Sequence, residues 1–268
     1  MAARFWVGGT GTWDASATTH WATASGITAG ASVPGAADTV TFDGSSGGGT
    51  VTVNTTVTVT SLTMGAFTGT LDFDPNDNNV TISSTNTGLT LTGTATRTLN
   101  MGGGTWTFTG ANGGLDATTQ TNLTFTASGT TIVYAGSGQT ATRSLIISGA
   151  TIGTFTVSAN NGLICNIPFA NTFGTVNIDD KNNVQFPTAG TTITTLNITG
   201  STSTPVLIET GGQTAAPITV TTANITGAAI RAIAFTGSPT AANSYDIGSN
   251  TGITITPPAS GGGSKMIG

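Results

Sequence analysis

From about Asp38 almost to the end of the chain, apolar residues arrive in pairs separated by one polar residue. Val51/Val53, Val57/Val59, Leu62/Met64, Leu71/Phe73, Val80/Ile82, Leu89/Leu91 and Leu99/Met101 open the series. Trp106/Phe108, Leu123/Phe125, Leu145/Ile147, Phe155/Val157, Val176/Ile178, Leu196/Ile198, Val206/Ile208, Ile218/Val220 and Ile253/Ile255 carry it on. The residue between is usually Thr, Asn or Ser. Alternation with period two sends the apolar members to one face of a strand and the hydroxyls to the other. Thr and Val also suit a pleated strand because both branch at Cβ. Turn chemistry separates the pairs, as in "GSSGGG", "DPNDNN" and "GANGG". No stretch of useful length has helical periodicity.

The intervals between the pairs narrow the fold further. Leu62 to Leu71, Leu71 to Val80 and Val80 to Leu89 are each nine positions apart, while other steps are shorter or longer. Strand-plus-turn units this short predict a solenoid with two or three strands per coil, roughly 18 to 27 residues each. The phrases "TSLTM", "RTLNM", "TNLTF", "RSLII", "TTLNI" and "TTANI" recur, each bringing apolar side chains to an equivalent place in successive coils. Stacked, they build an apolar column that no single coil can bury. A β-sandwich also has many short strands, but its strands run longer and a chain of this length would need a linker between two bodies. The expected fold is therefore all-β, a right-handed parallel β-helix, with a cap region at 1–44, the β-helix at 45–256 and a flexible tail at 257–268.

The opening, "RFWVGGTGTWDASATTHWATASG", holds three of the four tryptophans and the only histidine. A solenoid's first coil leaves its core and strand edges open to water. Phe5, Trp6, Trp13 and Trp21 each bury a large area and are expected to plug that end, with an aromatic sugar-binding platform as the alternative. At the other end, Pro257 and Pro258 stop the last strand. The final coil is then either open to partners or closed by its own "AANSYDIGSN" segment, with Tyr245 as the lid.

Composition limits the function. Lys plus Arg number 6 and Asp plus Glu 11 among 268 residues, and 37% of residues are hydrophobic. That is too little charge for a disordered chain and gives no basic surface for nucleic-acid phosphates. Cys165 stands alone between apolar neighbours and reads as a small core residue. No stretch approaches the length of a membrane span and none has the form of an export signal.

Candidate chemistry is sparse. In "DFDPNDNN", Asp72, Asp74, Asn76 and Asp77 offer hard oxygen ligands at alternating positions, as calcium loops do. Asp77 stands where the EF-hand pattern has glycine, and Ser83 where it has the bidentate glutamate, so calcium competes with a plain solvated turn. Asp179 and Asp180 are adjacent carboxylates of the kind a glycoside-cleaving acid/base pair draws on, but neighbours on a strand face opposite ways. Glu209 is the only glutamate. His20 lacks a positioned serine and carboxylate to make a triad.

The stretch from Val7 to Gly26, followed by "SVPGAADTVTFDG" (Ser32 to Gly44), resembles the start of β-helical proteins encoded by tailed bacteriophages, and is also similar to the opening of autotransporter passenger domains. The resemblance covers the chain as far as Gly44 and is otherwise only β-helical texture. It implies a virion protein, a tail fibre, spike or capsid decoration made in the host cytoplasm, with other virion proteins as partners. It further implies a homotrimer, which the residues themselves do not specify. No enzyme is implied, and no cofactor beyond the candidate calcium. Two other classes stay in play: a spike that binds or cleaves a host-surface glycan, and an ice-binding solenoid or adhesin. The second is suggested by "TVTVNTTVTVT" and "TLTGTATRT", but needs threonines in register coil after coil, against which the variable step counts.

Overall fold

The computed structural model describes residues 1–136, 142–158, 162–179, 181–211 and 214–259. Among them there are strands and turns but no helix. After the N-terminal reversal, every strand pairing is parallel, so the chain is a parallel β-solenoid.

The nine-residue step is the walk from one face of a coil to the next. Ser61–Met64 lies on a leading face, Thr70–Asp72 on a middle face and Val80–Ile82 on a trailing face. Leu89–Thr90 then returns to the leading face, with Leu89 paired directly to Leu62, one full coil earlier. The inward columns follow from this register. Val40, Leu62, Leu89 and Leu115 stack on the leading face, Val51, Leu71 and Leu99 on the middle, and Val57, Val80 and Trp106 on the trailing face. All are buried in one continuous apolar cluster. Coil length varies more widely than expected. The coil that brings Leu145 onto Leu115 is nearly twice as long as the one that brings Tyr245 onto Ala229.

From Leu123 onward the middle and trailing faces share single long strands. Leu123–Tyr134 stacks its first half on Arg97–Asn100 and its second on Thr105–Phe108. Thr151–Val157, Thr172–Asp179, Thr191–Thr199 and Ala216–Thr226 follow it. Inward residues are three apart at the shared bend: Ile152 and Phe155, Phe173 and Val176, Ile193 and Leu196 are all buried. The extra residue turns the strand so that both halves present their apolar side to one core. Gly153 and Gly174 occupy that bend, and a Cβ on Gly174 would lie 2.5 Å from the Gly153 carbonyl oxygen. Only a residue without a side chain lets the two rungs approach so closely.

The N-terminal plug is present. Ala3–Trp6 lies parallel beneath Thr39–Phe42, and Trp21–Ala22 reverses to cover its outer edge antiparallel. Trp6, Trp13 and Trp21 are at most 1% exposed. Trp21 meets Trp6 and Trp13 edge to face at 5.2 and 5.0 Å, and Phe42 lies beneath them. Phe5 is not part of this group. As the neighbour of Trp6 on the same strand it faces the other way and is half-buried. His20 joins in its stead, stacked on the Trp6 ring at 4.6 Å.

At the far end Ile253 and Ile255 pack against the core only partly buried, as do Leu123 and Phe125 midway along the solenoid. Tyr245 is no lid: it is half-buried on the leading face, and its hydroxyl donates to the Thr202 carbonyl at 3.3 Å. The buried contributions of that segment are Ala241 and Ser244.

Candidate functional site

The polar cluster at 72–77 forms a turn in which one oxygen each of Asp72 and Asp77 accepts from protein donors. Asp72 Oδ1 accepts from the Asp74 amide at 3.1 Å and from Asn100 Nδ2 at 3.0 Å. Asp77 Oδ1 accepts from the Gly103 amide at 2.5 Å, and Asn76 turns its amide to the Val53 carbonyl at 3.0 Å. Asp77 itself has a φ of 48°, a left-handed geometry that bends the chain back onto the neighbouring coil. Asp72, Asn76 and Asp77 thus staple neighbouring rungs together, while Asp74 and Asp77 line one surface depression with Asn100, Gly102 and Gly103. Among the described residues no group of three or more His, Cys, Asp or Glu side chains is placed to hold a metal.

The remaining carboxylates do not make an acid/base pair. Asp179 is exposed at the end of its strand, and Asp180 lies outside the described residues. Glu209 points outward from the leading face yet is only 4% exposed. Its Oε1 accepts from Gln185 Nε2 at 3.1 Å and Asn183 Nδ2 at 3.3 Å, and Oε2 pairs with Arg231. Burial alone would raise its pKa, but these donors outweigh burial and hold it below its ordinary 4.5. A depressed carboxylate adds stability above its unfolded pKa and loses it as pH falls through the folded value. Glu209→Gln should therefore melt lower than the parent at neutral pH, with the gap closing as the solution is acidified below pH 4.5. Thermal melts across that range check it; a gap that does not depend on pH would contradict this network.

The interior holds titratable groups that no sequence motif marks. Arg97 and Arg143 are 1% and 0% exposed, and among the described residues neither makes an ion pair with a carboxylate. Arg97 instead donates to the carbonyls of Ala95, Thr121, Leu91 and Thr119. Arg143 Nη1 donates to Phe108 and Ala135 carbonyls, while its Nε and Nη2 have no partner. Burial lowers both guanidinium pKa values. Cys165 stacks directly on Arg143, and burial pushes its thiol far above the ordinary range, so it is inert. Tyr134 donates its hydroxyl to Ser144 O at 2.8 Å and accepts from the Leu115 amide. His20 Nδ1 sits 2.9 Å from the Val7 carbonyl, which makes it the protonated ring nitrogen.

The outward faces differ sharply. On the trailing face, Thr105, Thr131, Thr154, Thr175, Thr195 and Thr222 pair in unbroken register, although the length of chain between successive members varies from coil to coil. Two residues along, a second rank runs Thr81, Thr107, Val133, Thr156, Asn177, Asn197 and Asn224. Its amides form a ladder: Asn224 Nδ2 donates to Asn197 Oδ1 at 2.8 Å, Asn197 to Asn177 at 2.9 Å, and Asn177 to Thr156 Oγ1 at 3.2 Å. Neither rank contains a charged residue. The leading face is mixed: one outward rank runs Thr63, Thr90, Asp116, Ile146 and another Asn166, Gln185, Glu209, Arg231. Variation in coil length is thus absorbed at the corners, and the trailing face stays regular.

Comparison with models of known protein families, with curated proteins and with solved structures finds no match to this chain.

Proposed function

We propose that the chain is a non-enzymatic structural element, a stiff β-solenoid on the tail or capsid surface of a tailed-phage virion, assembling with other virion proteins and with copies of itself, most simply as a trimer. The observation that carries this reading is how the polar groups are used. Asp72, Asp77, Glu209, Asn177 and Asn197 bind the rung above or below. Side chains committed to stacking make a rod; a reaction centre needs them free and convergent in a cleft. The phage-like opening residues supply the setting.

Mass spectrometry of purified particles, with immunogold labelling of intact ones, tests the assignment. The chain should co-purify at a fixed ratio to the major capsid protein and label one region of the particle. Its presence in infected-cell lysate but not in washed particles would defeat the reading. Light scattering tests self-association: a monomeric mass at high micromolar concentration would rule it out for the isolated chain.

A further inference from the structure

We infer that the trailing face binds ice, by holding against the crystal lattice a two-dimensional mesh of neutral hydroxyl and amide groups interrupted at Val133. This does not rest on the virion reading.

The geometry is that of a sheet. Rungs repeat about every 4.8 Å, and outward residues two apart on one strand are about 6.7 Å apart. The two ranks therefore form a nearly rectangular mesh, close in both directions to the oxygen rows on the prism planes of hexagonal ice. Ice presents neutral oxygens that each donate and accept. A hydroxyl is the neutral side-chain group that does both from one atom, and the threonine methyl beside it fills space between water positions. Charged side chains would hold their own hydration shells against the lattice, and the two ranks contain none.

Composition alone does not account for this face. The same threonine-rich chain places Asp116, Ile146, Glu209 and Arg231 in outward ranks of the leading face, whereas on the trailing face Asp179 stands one outward position beyond the second rank. On the trailing face the first rank is threonine in all six paired rungs, even though no two successive intervals along the chain are equal. The second rank is also fixed before any ligand arrives, because its asparagines hydrogen-bond to one another at 2.8 and 2.9 Å. A surface already ordered gives up little side-chain freedom on binding. Other occupants fit less well. The two ranks carry no cation for a phosphate and no aromatic ring for a sugar, and their hydroxyls would be costly to bury against an apolar partner.

Thermal hysteresis and ice-crystal shape, measured on the purified full chain, test the inference. The parent protein should separate its melting and freezing points and produce faceted crystals. Thr175→Lys and Thr195→Lys, each placing a charge within the first rank, should each lose several-fold of the hysteresis. Thr63→Lys on the leading face should keep it. Circular dichroism of each variant establishes that the fold is retained, and either rank variant suffices if the other fails to fold. Round, freely growing crystals with the parent protein would overturn the inference. So would an equal loss from Thr63→Lys and from the rank variants.

Discussion

Replacing Trp21 by alanine is expected to cost roughly 3–5 kcal/mol, the range for emptying a large aromatic site that cannot collapse. Trp21 is fully buried and is the hub of the plug, touching Trp6, Trp13 and Phe42. Its strand also covers the free edge of Ala3–Trp6, so losing the anchor exposes backbone as well as core. The loss should be local at first. In a solenoid each coil touches only its neighbours, so denaturant should release the N-terminal coils ahead of the rest and broaden the transition. Trp21→Phe provides the contrast. The indole N–H of Trp21 is buried without a partner, at a cost of about 1–3 kcal/mol. Phenylalanine removes that donor while keeping most of the ring, and should stay within about 2 kcal/mol of the parent. Chemical denaturation of both variants checks the pair. If Trp21→Ala unfolded like the parent, the aromatic cluster would not be a plug.

Arg97→Met should destabilise by about 4 kcal/mol, because four carbonyls lose a charged donor at once while only one unpartnered donor, Nε, goes with it; buried acceptors left unpaired cost about 1–3 kcal/mol each, less where water reaches them. Arg143→Met should change stability by no more than about 1 kcal/mol, although that arginine is the more deeply buried; methionine there strands the Phe108 and Ala135 carbonyls, but it also removes the unpartnered Nε and Nη2 donors, and the two effects are of similar size. The ordering is the test. Arg143→Met proving the more damaging would mean that its two orphan donors have partners in solution.

These arginines also show where reading the sequence stops. In "RTLNM" and "RSLII" the arginine stands two residues before leucine, in phase with the apolar series, and the alternation pattern alone assigns it inward. Its charge argues the other way. What decides the matter is a corner of the coil lined with backbone carbonyls, which no local pattern encodes. The apolar pairs were legible because period two is a property of each strand by itself: Val80, Ile82, Leu89 and Leu91 are all buried. The coil was legible only as two or three strands, and the regular step between Leu62 and Leu89 turns out to be one three-sided turn. It was lost after Leu123, where two faces share one strand and Ile152 and Phe155 face inward three residues apart. In the cap, clustering of aromatics marked the region but not the members. Phe5 was lost to the alternation of its own strand, and Phe42 was missed because it follows the plug in sequence while lying under it in space. The partners of the 72–77 turn were not legible either: the donors that reach Asp72 and Asp77 come from Asn100 and Gly103, one coil later.

The position of the tryptophan plug also bears on how the protein is made. Parallel sheets form slowly, since each pairing closes a long loop before any contact repays it. Here Trp6, Trp13 and Trp21 all precede the first regular coil and leave the ribosome ahead of every coil they support. Thr39–Phe42, the strand beneath the plug, is the next to emerge. Once that seed is set, each new turn of chain meets a finished edge and closes a loop only one coil long against it. Growth then runs in the direction of translation, and a search across the whole chain becomes a succession of short ones.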